Sequence, residues 1–224
     1  MSMPFYVPPE QFLKDRADFA RKGISRGRAL IACACNDGIL LVAENPSTTL
    51  RKISEIYDRI AFAGVGKFNE YDNLRVAGVR QADVMGYQYS RHDVEARRLA
   101  NLYAQVLAHE FTAGSKPLEV EILVAEVGDE RAGDRLFRIS FDGTVLDEDG
   151  LSILGGDSEA VASRMTASSH DGSFGSVLRA AVAALAGPER TLAADDLEVG
   201  ILSRAGRRRR FSRLDADRVR QMLS

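Results

Sequence analysis

The chain has 224 residues, 45% hydrophobic and 28% charged, which is enough apolar material for one substantial core. Its formal net charge of −2 argues against a wholesale nucleic-acid or membrane-surface partner. No apolar run approaches the ~18 residues needed to span a bilayer, and Met1–Glu10 lacks the basic start and apolar stretch of a secretion signal, so a cytoplasmic setting is expected.

Met1 to Pro9 reads as an irregular tail, because Pro4, Pro8 and Pro9 each fix φ and remove a backbone donor. A helix is expected from about Pro9 to Lys22, with Glu10 in its first turn, Gly23 to end it, and Phe12, Leu13, Ala17, Phe19 and Ala20 as its apolar positions. Ala29–Cys35 and Ile39–Glu44 form a hairpin at Asn36-Asp37-Gly38. Cys33 and Cys35, two apart on one strand face, are too close for an easy disulfide and read as buried, reduced thiols.

Strands follow at Lys52–Ile56 and Arg59–Gly64, then a helix over Lys67–Gly86. From Asp93 to about Ser115 the residues Leu99, Leu102, Tyr103, Val106, Leu107 and Phe111 keep helical spacing and predict a main wall of the core. Glu119–Val127, Arg135–Ser140 and Thr144–Asp147 are strands, the last two joined at Asp142-Gly143, and Leu151–Leu154 is a further short one. Ser158–Met165 is helical, and Ser173 caps a helix whose face is Phe174, Val177, Leu178, Ala181, Val182 and Leu185. Strands Leu197–Leu202 and Arg210–Leu214 and a helix capped by Asp215 close the chain. With neither repeat nor linker in view, residues 10–224 read as a single domain behind the 1–9 tail. Antiparallel hairpins with paired helices argue for an α+β fold of two face-to-face sheets under outer helix layers.

Candidate chemistry is sparse. Gly64-Val65-Gly66-Lys67 lacks P-loop spacing and its Ser/Thr. His92, His109 and His170 are scattered and read as surface residues. Ser168-Ser169-His170-Asp171 holds hydrolase residue types, but sequence neighbours seldom face one another as a triad does. Asp147-Glu148-Asp149-Gly150 lacks calcium-ligand spacing. Arg207–Arg210, flanked by Arg204 and Arg213, reads as a solvated hairpin tip, with a protein contact as the second reading. No catalytic residue, metal site or cofactor is assigned.

The most specific signal is a long resemblance. Pro9-Glu10-Gln11, Asp18–Ile24, Gly38–Ser47, Leu50–Arg59 and Gly66–Arg75 resemble the corresponding segments of actinobacterial proteasome α subunits, and the similarity continues more weakly beyond Gly128. The resemblance implies a four-layer α–β–β–α sandwich of two antiparallel sheets. It implies a noncatalytic subunit in a seven-membered ring of copies of itself, stacked on rings of proteolytic β subunits. Catalytic relatives begin with a threonine whose free α-amine activates its hydroxyl. Here the nearest equivalent position is about Arg28, preceded by the whole first helix, while Glu44 and Lys52 match the acid and lysine of the active relatives. By the same resemblance, Met3, Pro4, Phe5, Tyr6, Val7, Pro8 and Pro9 match the axial gate that unfolded substrates pass. Lys52 matches the lysine that receives the C-terminal carboxylate of a ring ATPase or ATP-independent activator, and Gly66 and Lys67 match its pocket wall. The rival reading is a catalytically active β-type subunit with an N-terminal threonine.

Overall fold

The computed structural model describes residues 8–165, 172–206 and 208–224. In chain order these form α1 (Pro9–Ser25), β1 (Leu30–Cys35), β2 (Gly38–Glu44), β3 (Ile53–Tyr57), β4 (Ile60–Gly66), α2 (Phe68–Gln88), α3 (Ala96–Ala113), β5 (Val120–Glu126), β6 (Arg135–Ile139), β7 (Val145–Glu148), β8 (Leu151–Leu154), α4 (Ser158–Arg164), α5 (Phe174–Ala186), β9 (Leu197–Ser203), β10 (Phe211–Leu214) and α6 (Ala216–Leu223). Among the described residues, three short 3₁₀ turns interrupt the connections.

The strands make two five-stranded sheets, ordered β10-β9-β2-β1-β8 and β3-β4-β5-β6-β7, with every pair antiparallel. Leu30, Ala32, Leu41, Ala43, Ala63, Leu123 and Ala125 meet between the sheets. Their strand neighbours point outward and are covered in turn. Ile31, Cys33, Leu40, Val42 and Val199 pack under α4, α5 and α6; Phe62, Ile122, Val124 and Phe137 pack under α2 and α3. The result is the expected four-layer α–β–β–α sandwich. Burial on both faces is why β1 and β2 are unbroken apolar runs instead of alternating ones.

Helix α1 belongs to neither outer layer. Ala20 and Ile24 enter the core between the sheets, and the helix lies against β4 and β5. Arg16, the buried residue one turn earlier, donates from Nε to Phe111 O at 2.7 Å and from one terminal nitrogen to Glu110 O and Gly114 O, both at 2.9 Å. The last turn of a helix leaves carbonyls without partners, so one arginine satisfies three acceptors and fastens α1 to the end of α3.

Several expected details change. Helix α1 runs on to Ser25 and ends at the Arg26-Gly27 turn, while Gly23 sits inside it with its bare face against Glu119. Its buried stripe is Arg16, Ala20 and Ile24; Phe12, Leu13 and Phe19 are exposed. Val106 on α3 is also exposed. Ser173 precedes α5 without capping it through its side chain; the amide of Phe174 donates to Asp37 Oδ2 at 2.9 Å instead, a partner brought by the β1–β2 turn. Asp215 does cap α6, accepting from Arg218 N at 2.7 Å. Both cysteines face the α5 side of their sheet, free and buried, and burial pushes the Cys33 thiol up to about 12.

Tyr103 crosses from α3 to α2 and fills the notch left by Gly78, where a β-carbon would lie 1.7 Å from its hydroxyl. That hydroxyl is buried without a hydrogen-bond partner. Gly78→Ala should therefore cost roughly 1–3 kcal/mol of stability through overpacking. Tyr103→Phe should be neutral or stabilising and should recover part of the loss in the double variant. Urea-unfolding midpoints of the four proteins check both; a destabilised Tyr103→Phe protein would refute the assignment.

Candidate functional site

The turn that carries the chain from α1 into β1 gathers the residues singled out in the sequence. Lys52, just ahead of β3, reaches back so that Nζ donates to Arg28 O at 2.7 Å and Glu44 O at 3.2 Å. On the other side of the turn, Gly27 lies flush against the amide of Gly66. Gly66 ends β4 at φ 100°, and a β-carbon there would stand 2.0 Å from the carbonyl oxygen of Glu119, so only glycine fits. Lys67 follows with its amide donating to Glu119 O at 2.9 Å and its exposed ammonium 3.7 Å from Glu70. Glu70 is fixed in turn by Lys116 Nζ at 2.5 Å and by the amide of Glu119 at 2.7 Å. Lys52, Gly66 and Lys67, spread over 16 positions of sequence, thus border a single turn.

Glu44 closes the other flank. Its buried carboxylate accepts from Arg28 at 2.7 Å and from Arg190 at 3.0 and 3.2 Å. These groups border a cavity of about 550 Å³ that Arg164, Asp157 and Leu185 also line. The position matched to a catalytic threonine is therefore an arginine committed to a carboxylate, in mid-chain, with its carbonyl taken by Lys52. A hydroxyl nucleophile with a free α-amine is not what this position offers.

Burial depresses the Lys52 ammonium to about 8; the negative charges of Glu198 and Glu44 work against that shift and Arg28 works with it. Lys52 is no ordinary surface lysine, since most of its stem is covered and its head is held by two carbonyls.

Pro8 and Pro9 are exposed, and Pro9 already belongs to the first turn of α1. Met3, Pro4, Phe5, Tyr6 and Val7 lie outside the described residues, as do His170 and the rest of Ser168–Asp171. His92 and His109 are exposed. Asp147 pairs with Arg97 at 3.0 Å, and among the described residues no three His, Cys, Asp or Glu side chains gather as metal ligands do. No helix among them is long and apolar enough to cross a membrane.

The basic stretch is solvated at Arg208 and Arg209 but tied down around them, and Arg207 lies outside the described residues. Arg204 makes a bidentate pair with Asp134 at 2.8 Å for both oxygens, largely buried, and also donates to Gly128 O. Arg209 pairs with Glu55, and Arg210 with Asp129 and the Gly128 carbonyl. These arginines tie the β9–β10 turn to the β5–β6 connection and to β3. Charge density alone gave no sign of that, because every partner lies more than 60 residues away.

Comparison with known proteins agrees with this geometry. The family model described as proteasome subunit matches residues 24–187. A proteasome subunit alpha of Acidimicrobium ferrooxidans is 58% identical over 224 residues, spanning 100% of this chain and 97% of the relative. Those of a Nocardioides species and of Thermomonospora curvata are 54% and 52% identical, spanning all of this chain and 90% and 99% of the relatives.

With its lowered folded-state value, Lys52 binds fewer protons than in the unfolded chain between pH 8 and its ordinary 10.5. Stability of the wild-type chain relative to Lys52→Met should therefore rise across that interval. A pH series of chemical unfolding checks the sign; a flat or falling difference contradicts it. From the fold, the site and these full-length likenesses together, the chain belongs to the proteasome subunit family, on its alpha side.

Proposed function

We propose that this chain is a noncatalytic α subunit of a proteasome core particle, forming with six copies of itself an outer ring that gates entry to the proteolytic β subunits and docks activators, in the cytoplasm. The observation that carries the reading is helix α1. It seats Ala20 and Ile24 in the mouth of the sandwich and leads directly through Gly27 into Arg28, so the place of a terminal nucleophile is occupied by continuous chain and a Glu44-bound guanidinium. The β-type hydrolase reading lacks any comparable support.

Two roles follow for the same end of the molecule. Residues Met3 to Pro9 form the gate, with unfolded protein as the substrate that passes. Lys52, with the Gly66 backbone and Lys67 beside it, receives the C-terminal carboxylate of a ring ATPase or ATP-independent activator. One lysine–carboxylate pair near the surface contributes only about 0–1 kcal/mol, so docking draws on apolar contacts and on several tails engaged at once around the ring.

Core particles assembled with the β subunit and lacking residues 2–8 should hydrolyse short peptides several-fold faster than intact particles; equal turnover would reject the gate. In a separate arm, Lys52→Ala should lower activator-stimulated hydrolysis, normalised to the basal rate of the same particles, by tenfold or more. Undiminished stimulation would remove Lys52 from the docking site.

A further inference from the structure

Lys52 does not hold its own position. Its backbone enters β3 through a carboxylate of the opposite sheet. Glu198 on β9, with its side chain 1% exposed, accepts from the amide of Lys52 at 2.9 Å and from the amide of Ile53 at 3.3 Å. The same carboxylate accepts from Asn45 Nδ2 at 2.7 Å and stands 3.5 Å from the Arg213 guanidinium. Asn45 closes the β2–β3 connection from within, donating to Leu50 O at 2.7 Å and accepting from Ser47 N at 3.2 Å. The loop that presents Lys52 is therefore built around one buried charge.

A buried carboxylate is expensive unless its lone pairs are used. Three donors from β3 and the β2–β3 loop use them here, with the Arg213 guanidinium of β10 beside them, which accounts for its tolerance. Because both oxygens accept from N–H donors, a glutamine would turn its own NH2 toward one of them and could keep only part of this pattern. A glutamine also lacks a field on the neighbouring ammonium. The groups that face Lys52 are Glu198 from β9, Glu44 from the end of β2, and Arg28 ahead of β1. Arg28 and Arg190 both lean on Glu44, and Arg213 leans on Glu198. Of the two carboxylates, Glu44 is shared by two guanidiniums in direct contact, while Glu198 has one at longer range. Glu198 is also the strongest of the charges acting on the lysine.

We propose that Glu198 is the positioning residue of the Lys52 site, fixing through two backbone amides where the lysine enters it and supplying the fixed negative charge that suits the ammonium to capture a terminal carboxylate. The inference rests on the docking role proposed for Lys52, and it makes that docking a pH-sensitive step. Burial alone drives the lysine toward its neutral form; Glu198 opposes this and keeps the cation populated near neutral pH. As pH rises through about 8 the ammonium is lost, and the attraction for a carboxylate goes with it.

The test uses assembled core particles and one probe, an eight-residue peptide with a free C-terminal carboxylate, taken from the C-terminus of the proteasomal ATPase of the same genome, with its C-terminal amide as control. Binding by fluorescence polarisation is followed from pH 6.5 to 9.5. Wild-type affinity should fall above about pH 8, by up to about tenfold per pH unit for a single proton. In Glu198→Gln the fall should begin at lower pH; in Arg213→Gln, which frees more of the Glu198 charge, it should begin at higher pH. Lys52→Arg should bind without a pH midpoint in this range. A merely structural Glu198 would weaken binding equally at every pH, and that result overturns the proposal, as does an unmoved midpoint in both variants. Should Glu198→Gln particles fail to assemble, the Arg213→Gln midpoint decides. Competitive amine labelling of Lys52 across the same pH series, read by mass spectrometry, separates the two levels of the argument. If Lys52→Ala binds the peptide normally, the docking role fails, and the labelling still shows whether Glu198 governs the lysine. If Lys52→Ala abolishes binding while labelling and midpoints are unchanged in both charge variants, Glu198 alone is rejected.

Discussion

Both sheets of this molecule bury both of their faces, so polar function is left to the two ends of the sandwich and the outer helix surfaces. Leu30, Leu41 and Leu123 fill the space between the sheets, and the outward residues of the same strands are covered by helices. Side chains in such layers have no room for water or for chemistry. At one end the ten strands are joined by the arginine-rich turns; at the other, by the segment that carries Lys52, Glu44 and Gly66. Everything specific to this chain follows from how those ends are closed, by ion pairs at the first and by helix α1 at the second.

The closures differ in kind. The Arg204–Asp134 pair is bidentate, mostly buried and supplied with carbonyl acceptors, the geometry in which an arginine is most useful. Around Lys52 the charges are less evenly matched: Lys52, Arg28, Arg190 and Arg213 stand against Glu44 and Glu198. An end held by matched pairs is suited to a fixed framework. An end whose cation is only partly compensated retains an affinity for an outside carboxylate.

Much of this architecture was legible in the sequence because local rules wrote it there. Asp-Gly marked the hairpin at Asp37-Gly38, and the helical spacing of Leu99, Tyr103 and Leu107 marked the buried face of α3. The site residues were legible only through resemblance; nothing in the spacing of Lys52, Gly66 and Lys67 says that they share a turn. The misses have a common cause. Gly23 looked like a helix stop, yet it is there to let Glu119 approach, and Ser173 looked like a cap whose role Asp37 takes. The run Arg207–Arg210 looked solvated, and Arg208 and Arg209 are, but Arg210 is largely buried against Asp129. In each case a long-range partner replaced the local one, and single-sequence periodicity carries no record of such partners. Glu198 went unnoticed for the same reason, as one acid at the start of an apolar strand.

Helix α1 has one more consequence, and it is mechanical. Its 17 residues span about 25 Å at 1.5 Å per residue. Pro9 stands at one end; three residues beyond the other is Arg28, whose carbonyl Lys52 grips. Arg16 clamps the rod to α3 partway along, as a pivot sits under a beam. A tilt of 5° about the Arg16 clamp carries the Pro9 end through about 1 Å, by simple leverage on the seven residues between them. The helix is thus a stiff link between two sites that share no side chain, and whatever holds Arg28 still also holds the root of the tail.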